Sequence, residues 1–345
     1  PAAELEPPPA AHAPPAALAP MEPEAKRPRQ GAGMAGLRAE LERRLAAGAG
    51  GPGGPLLLRN ATLPGAALLG EGRGAPLPPA DDEGNVLADV LLAGGRVTGL
   101  GAPGTQDLEE AAGASSVDLA RKMLWPCFCD PHAHLMKAHA CPRCPNPTGS
   151  INDAVASEAS DRPWSREDLE RRMDFALRAA YVHGMKAMRT HLDGSEDDRP
   201  QQREATWAAF DTLRAKWAGR VELQGVANLF LPLWSQPAQA ERQVSEALRR
   251  RPHVVLGAYC GTIRDEGALG HFHELFRLAR AHGLPVDLHV DECNEPASCG
   301  VILAMRALAE ARAAGYAAPV VCGHCCALSL LPAPRAAEAV RLAQA

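Results

Sequence analysis

The chain has 345 residues, of which 46% are hydrophobic and 22% charged, with a formal net charge of −5. That length fits one large domain plus a small one, and the mildly acidic balance argues against a nucleic-acid binder. There is no run of 18 apolar residues and no secretory-signal core, so neither a membrane span nor export is expected.

Fifteen of the first 20 residues are Pro or Ala, and none of the 14 aromatic residues precedes Trp125. A segment so poor in bulky apolar groups cannot offset the entropy of ordering. Residues 1–53 therefore read as a disordered Ala/Pro/Gly-rich tail, with a helix near 35–47 as the exception. The basic run around Lys26 reads as a solvated linker cluster, with a nuclear signal as the weaker alternative. The chain opens at Pro1, which leaves Met21 and Met34 as candidate starts. Five of the ten cysteines (Cys127, Cys129, Cys260, Cys322 and Cys325) sit beside strand-like runs rather than in a disulfide framework, so reduced thiols and a cytoplasmic location are expected.

From residue 54 the texture changes. "PLLLRNATL" and "DVLLAGGRVTGLGAP" read as short strands broken at glycine turns, followed by "SVDLARKMLWPCF", which makes 54–123 a small β-rich domain. A strand–helix rhythm then occupies 124–345. Strands are expected at about 127–133, 185–191, 221–228, 253–259, 285–290 and 318–324. The clearest helix follows Ser165, which forms a capping pattern with Asp168, with Leu169, Met173 and Leu177 on one face. Further helices are expected near 200–218, 238–250, 266–282, 297–314 and 334–344. Six such units predict a parallel sheet, either open and doubly wound or a barrel.

The C-terminal strand ends read "DPHAH", "MRTHLD", "VANL", "GAYC", "DLHVDE" and "CGHC", and four of the six carry an imidazole. A barrel gathers all such ends at one mouth, whereas an open sheet gathers them at one switch point, so the distribution favours the barrel. His132 and His134 lie two apart on a strand and face the same space, which suits two-point metal chelation; ordinary polar residues near a loop are the bland alternative. His289 and His324 strengthen the metal reading. Glu292, three residues after His289, could carry protons for a metal-activated water, with Asp291 competing for that role on geometry alone. His191, Asp193 and Asn228, at the ends of the second and third strands, are candidates for a substrate pocket. His139, His183, His253, His271, His273 and His282 read as surface or packing residues.

Taken in order, "LLLRNATL", "DVLLAGGRVTGLG", "DPHAHLMKAH", "MRTHLD", "DLHVDE" and "CGHCCALS" resemble the cytosine deaminase family of the amidohydrolase superfamily over roughly 54–345. The resemblance implies a TIM-type (β/α) barrel with a small β domain, holding one divalent metal, iron or zinc. It also implies hydrolytic release of ammonia from a cytosine-like ring, with a small nucleobase-like substrate and no nucleic-acid or membrane partner; homo-oligomerisation is left open. By position, His132, His134 and His289 match the family's metal ligands, Glu292 its proton shuttle and His324 the histidine beside the reacting water. Three departures stand out. Met136 replaces the family's aspartate before Lys137, and Phe230 stands where a glutamine reads the pyrimidine edge. The final metal ligand, an aspartate on an eighth strand, has no candidate downstream of His324. The expectation is therefore an incomplete barrel of about six of eight units, C-terminally truncated and impaired in activity.

Two other functions compete: a non-catalytic metal-binding or interaction remnant, and a thiol–disulfide oxidoreductase using Cys322 and Cys325. The redox reading needs an exposed thiolate at a helix N-terminus, but Cys322 lies inside an apolar strand run. "CPRC" at 141–144 could join a structural zinc site, but no partner thiols follow it at the interval such a site uses.

Overall fold

The computed structural model describes residues 54–68, 78–113, 115–193 and 200–344, together with Gly36, Ala39 and Arg43, which are helical. The rest of the expected tail over 1–53, including its basic run, lies outside the described residues. The chain divides into two compact units between Pro126 and Cys127.

The first unit is built on strands β1 (Leu56–Pro64), β2 (Asn85–Ala93), β3 (Arg96–Gly101) and β4 (Ser116–Asp118), with helix α1 (Gln106–Ala112) between the last two. The sheet order is β3-β2-β1-β4. The β2–β3 hairpin turns at Gly94 and Gly95, whose φ values of 57° and 73° are the left-handed pair that a tight hairpin matching strand twist requires. Leu56, Leu58, Leu63, Val90 and Val117 form its apolar core.

The second unit alternates strands and helices. Its strands are β5 (Phe128–Ala133), β6 (Met185–Leu192), β7 (Glu222–Phe230), β8 (Val254–Tyr259), β9 (Val286–Val290) and β10 (Val320–His324). Its helices are α2 (Ile151–Asp161), α3 (Arg166–Val182), α4 (Pro200–Trp217), α5 (Pro237–Arg249), α6 (Leu269–His282), α7 (Gly300–Ala313) and α8 (Ala333–Gln344). Every strand pair is parallel, and the spatial order from β5 to β10 is the chain order. A doubly wound sheet reverses its order at a switch point, so strictly sequential winding is that of a (β/α) barrel. The two margins of the sheet approach each other: the rings of His132 on β5 and His324 on β10 are 4.7 Å apart between centroids.

Local signals account for the helices. Ser165 Oγ accepts from the Asp168 N–H at 3.2 Å, and Leu169, Met173 and Leu177 then recur on the buried face of α3. Helix α2 is absent from the sequence reading. Its residues (INDAVASEASD) carry little apolar periodicity, and it starts instead from a cap in which Ser150 Oγ accepts from Asp153 N–H. Phe210, Trp234, Phe272, Phe276 and Leu288 anchor a continuous core between sheet and helices. Among the described residues no helix is long and apolar enough to cross a membrane.

Candidate active site

Three strands deliver four imidazoles to one point. His132 and His134 come from the end of β5, His191 from β6 and His289 from β9. His134 Nε2 lies 2.9 Å from His289 Nε2, and the ligand atoms of His132, His134 and His289 all fall within 4.8 Å of one another. Two neutral imidazole lone pairs repel at that distance unless a proton or a cation lies between them. Two nitrogens each about 2.0–2.1 Å from one ion, set at right angles, stand about 3 Å apart. Burial and the neighbouring imidazoles push His132 down to about 4 and His289 down to about 3, which leaves both neutral and basic at pH 7. His132 Nε2 is buried with no hydrogen-bond partner among the described residues. A mutually facing set of this kind, with His132 and His289 neutral, fits a divalent cation.

Behind this set lies a layer of carboxylates. Asp193 Oδ2 is 3.3 Å from His134 Nδ1 and 2.8 Å from Lys137 Nζ, while its Oδ1 accepts from Asn228 Nδ2 at 2.7 Å. Burial works to raise the Asp193 carboxyl, but Lys137 and His134 outweigh it and hold it well below the usual range. Burial likewise opposes the charge of Lys137, yet Asp193 and Glu158 push it up to about 12. A charged Asp193 therefore accepts from His134 Nδ1–H, which turns the lone pair of Nε2 toward His289. Asp193 and Asn228 stand behind the imidazoles here, linked to each other and to His134.

His191 is fully buried, with neither ring nitrogen hydrogen-bonded among the described residues. Its Nε2 is 3.8 Å from Asp287 Oδ1, and burial and the surrounding imidazoles lower it to about 2. The other Asp287 oxygen takes Arg189 Nη1 at 2.7 Å, although burial still raises that carboxyl. His132, His191 and Asp287 form a second set whose ligand atoms lie within 4.8 Å. Asp287 and Arg189 are absent from the sequence reading. The signal was strand alternation, since each sits two residues before a histidine of the cluster, Asp287 before His289 and Arg189 before His191.

Asp291 and Glu292, adjacent in sequence, part company in space. Asp291 is fully buried at φ 52°, and its oxygens accept from Ser298 Oγ at 2.6 Å and from the N–H groups of Gly300 and Val301 at 2.9 Å. Its carboxylate is consumed in capping α7. A Cβ on Gly300 would meet Asp291 Oδ1 at 2.6 Å, so only glycine lets the carboxylate in. Glu292 remains exposed, with Oε2 3.6 Å from His324 Nε2. His324 itself sits at φ 66° at the end of β10, with its ring 5.1 Å from that of His289. Gly323 just before it leaves room for His132, whose Nδ1 a Cβ would meet at 3.1 Å.

No family model matches the chain. It is 34% identical over 276 residues to a pterin deaminase of Rhizobium rhizogenes, a match that covers 79% of this chain and 58% of that relative. Among solved structures, 5-methylcytosine deaminase from Klebsiella pneumoniae liganded with phosphonocytosine matches with a TM-score of 0.63 at 21% identity, over 83% of this chain and 63% of that one. N-isopropylammelide isopropylaminohydrolase from Burkholderia multivorans matches with a TM-score of 0.58 at 22% identity, over 84% of this chain and 65% of that one. Its sequence is similar to a deaminase over most of this chain, and its fold is that of these two hydrolases. It spans less than two thirds of the length of each of these relatives.

Two of the departures from the pattern of the family that the sequence resembles have a local setting in the structure. Met136 is fully buried, and its Sδ accepts from the Asp193 N–H at 3.1 Å, so the thioether braces the carboxylate that holds His134. Phe230 is half-exposed at the end of β7 and pairs with Tyr259. The redox alternative loses its chemistry here, because burial pushes Cys322 up to about 12 and also raises Cys325. Cys322 lies within β10, and a short 3-10 turn at Cys326–Leu330 follows rather than an α-helix. Neither metal-ligating set found among the described residues includes a cysteine, so "CPRC" joins no such cluster there.

Proposed function

We propose that the chain carries the metal centre and proton-transfer groups of a hydrolytic deaminase acting on an amino-substituted nitrogen heterocycle. The observation that carries this reading is the convergence of His132, His134 and His289, with two Nε2 atoms 2.9 Å apart. These three imidazoles would hold one divalent ion, iron or zinc; imidazole suits both. A divalent ion so held acidifies water and polarises the carbon under attack.

The remaining chemistry falls to side chains of this chain. Water adds its oxygen to the amine-bearing ring carbon, the C–N bond breaks, ammonia leaves and the ring gains a carbonyl. Glu292 Oε2 takes one proton from the attacking water and passes it to the ring nitrogen, then takes the second from the new hydroxyl and passes it to the departing amine. His324 Nε2, 3.6 Å away, orients that carboxylate. Asp193 fixes the tautomer of His134, and Lys137 keeps Asp193 in place. His191 and the Asp287–Arg189 pair fill the floor of the cluster with neutral and balanced groups.

The pterin deaminase relative supports an aminopterin-type ring, and the resemblance to cytosine deaminases supports a pyrimidine; both present an amine on a carbon flanked by ring nitrogen. The test is ammonia release by the purified full chain from pterin and from cytosine, with and without added zinc or ferrous ion. Metal-dependent release from either ring is expected. A metal-loaded protein that releases none refutes the catalytic reading.

A further inference from the structure

One pair of residues on the barrel rim is unused by the chemistry above. Phe230 ends β7 and Tyr259 ends β8, and their rings meet tilted, with centroids 5.1 Å apart and planes 31° from parallel. The two are register partners, and Tyr259 is in turn the register partner of His289. Partners on neighbouring strands project to the same face, so the aromatic pair and His289 form one row on the side that carries the histidine cluster. Aromatic residues are scarce in this chain, and Phe210, Phe272 and Phe276 are fully buried. Phe230 instead leaves 36% of its surface exposed. An open phenyl face beside a candidate reaction centre is apolar area that a bound ring would remove from water.

We propose that Phe230 and Tyr259 are specificity-determining residues, a stacking shelf that selects a planar bicyclic heteroaromatic amine over a single pyrimidine ring. The inference rests on reading the histidine cluster as the deaminase centre. Neighbouring strands lie about 4.8 Å apart, which puts Phe230 two spacings, about 10 Å, from His289 along the row. A ring whose amine-bearing carbon lies at the histidines reaches over Tyr259 to the near edge of Phe230 only if its plane extends past one six-membered ring. A fused bicycle does so, and a lone pyrimidine ends short. Phe230 offers no hydrogen-bonding group, so it recognises a π-face and not an edge.

The experiment is equilibrium binding of pterin, followed by its fluorescence, and of cytosine, by calorimetry, to the full chain and its Phe230→Gln and Phe230→Leu variants. Phe230 is half-exposed, and the leucine variant keeps an apolar side chain at the site. The dissociation constant for pterin is expected to rise about tenfold in Phe230→Gln and less in Phe230→Leu, while that for cytosine moves by less than about twofold. Pterin affinity unchanged in Phe230→Gln, equal weakening of both ligands, or a wild-type chain that binds neither ring overturns the shelf. Pterin bound with this Phe230 dependence but never deaminated supports the shelf and sinks the deaminase reading instead.

Discussion

The two halves of the barrel rim are built for different tasks. On β5, β6 and β9 the strand ends carry imidazoles backed by buried carboxylates, of which Asp193 is held by Lys137 and Asn228 and Asp287 by Arg189. On β7 and β8 the ends carry Phe230 and Tyr259, whose ring centroids lie 5.1 Å apart. The first half is rigid and electrostatically specified, as bond-making requires. The second offers apolar area and shape. If both proposals hold, chemistry and recognition are divided between strands rather than mixed along each one.

Substitutions on the histidine side should separate catalysis from architecture, and the largest effect is expected at Glu292. Glu292→Gln keeps the size of the side chain and removes its proton chemistry, so kcat should fall by about 10²–10⁴ with metal content unchanged. Steady-state ammonia release paired with metal analysis checks this. A smaller effect is expected one layer back. Asp193→Asn removes the charge that orients His134, and metal affinity should weaken by about 10–100-fold in a chelator-competition titration. An unchanged affinity would reduce Asp193 to a packing role.

The smallest effect concerns pH. His132, His289 and His191 are lowered from 6.5 to about 4, 3 and 2 in the folded, metal-free protein, with burial the leading cause. An unfolded chain takes up protons at these histidines below about 6.5 while the folded chain does not, so protons favour unfolding in that window. Stability from these groups is present above pH 6.5 and is lost as pH falls toward their folded values. The Tm of chelated protein should therefore drop between pH 7 and pH 5. A chain with His191→Asn should drop less.

Much of this was legible in the letters. Short apolar runs at regular intervals predict the six strands, and strand alternation by itself places His132 and His134 on one side. In "CGHCC" the apolar run before Cys322 is legible as a strand, and the glycine is equally informative because it makes room for His132. What stayed hidden depends on contacts between distant residues. Asp291 could not be told from Glu292 because its partners, Ser298, Gly300 and Val301, are supplied by the start of the next helix. Asp287 meets Arg189 across 98 positions of sequence. The Phe230–Tyr259 pair arises from strand register, which no local pattern encodes. Helix α2 starts from a serine cap and has almost no apolar stripe to announce it.

The central claim is that His132, His134 and His289 share one divalent ion. It is tested most directly by titrating the metal-free chain with zinc and with ferrous ion under anaerobic conditions, alongside His132→Ala, His134→Ala and His289→Ala and a sample with alkylated cysteines. The expected result is one tightly bound ion per chain, retained after alkylation and lost in each histidine variant. Binding that survives removal of the histidines, or disappears when the thiols are blocked, would contradict it.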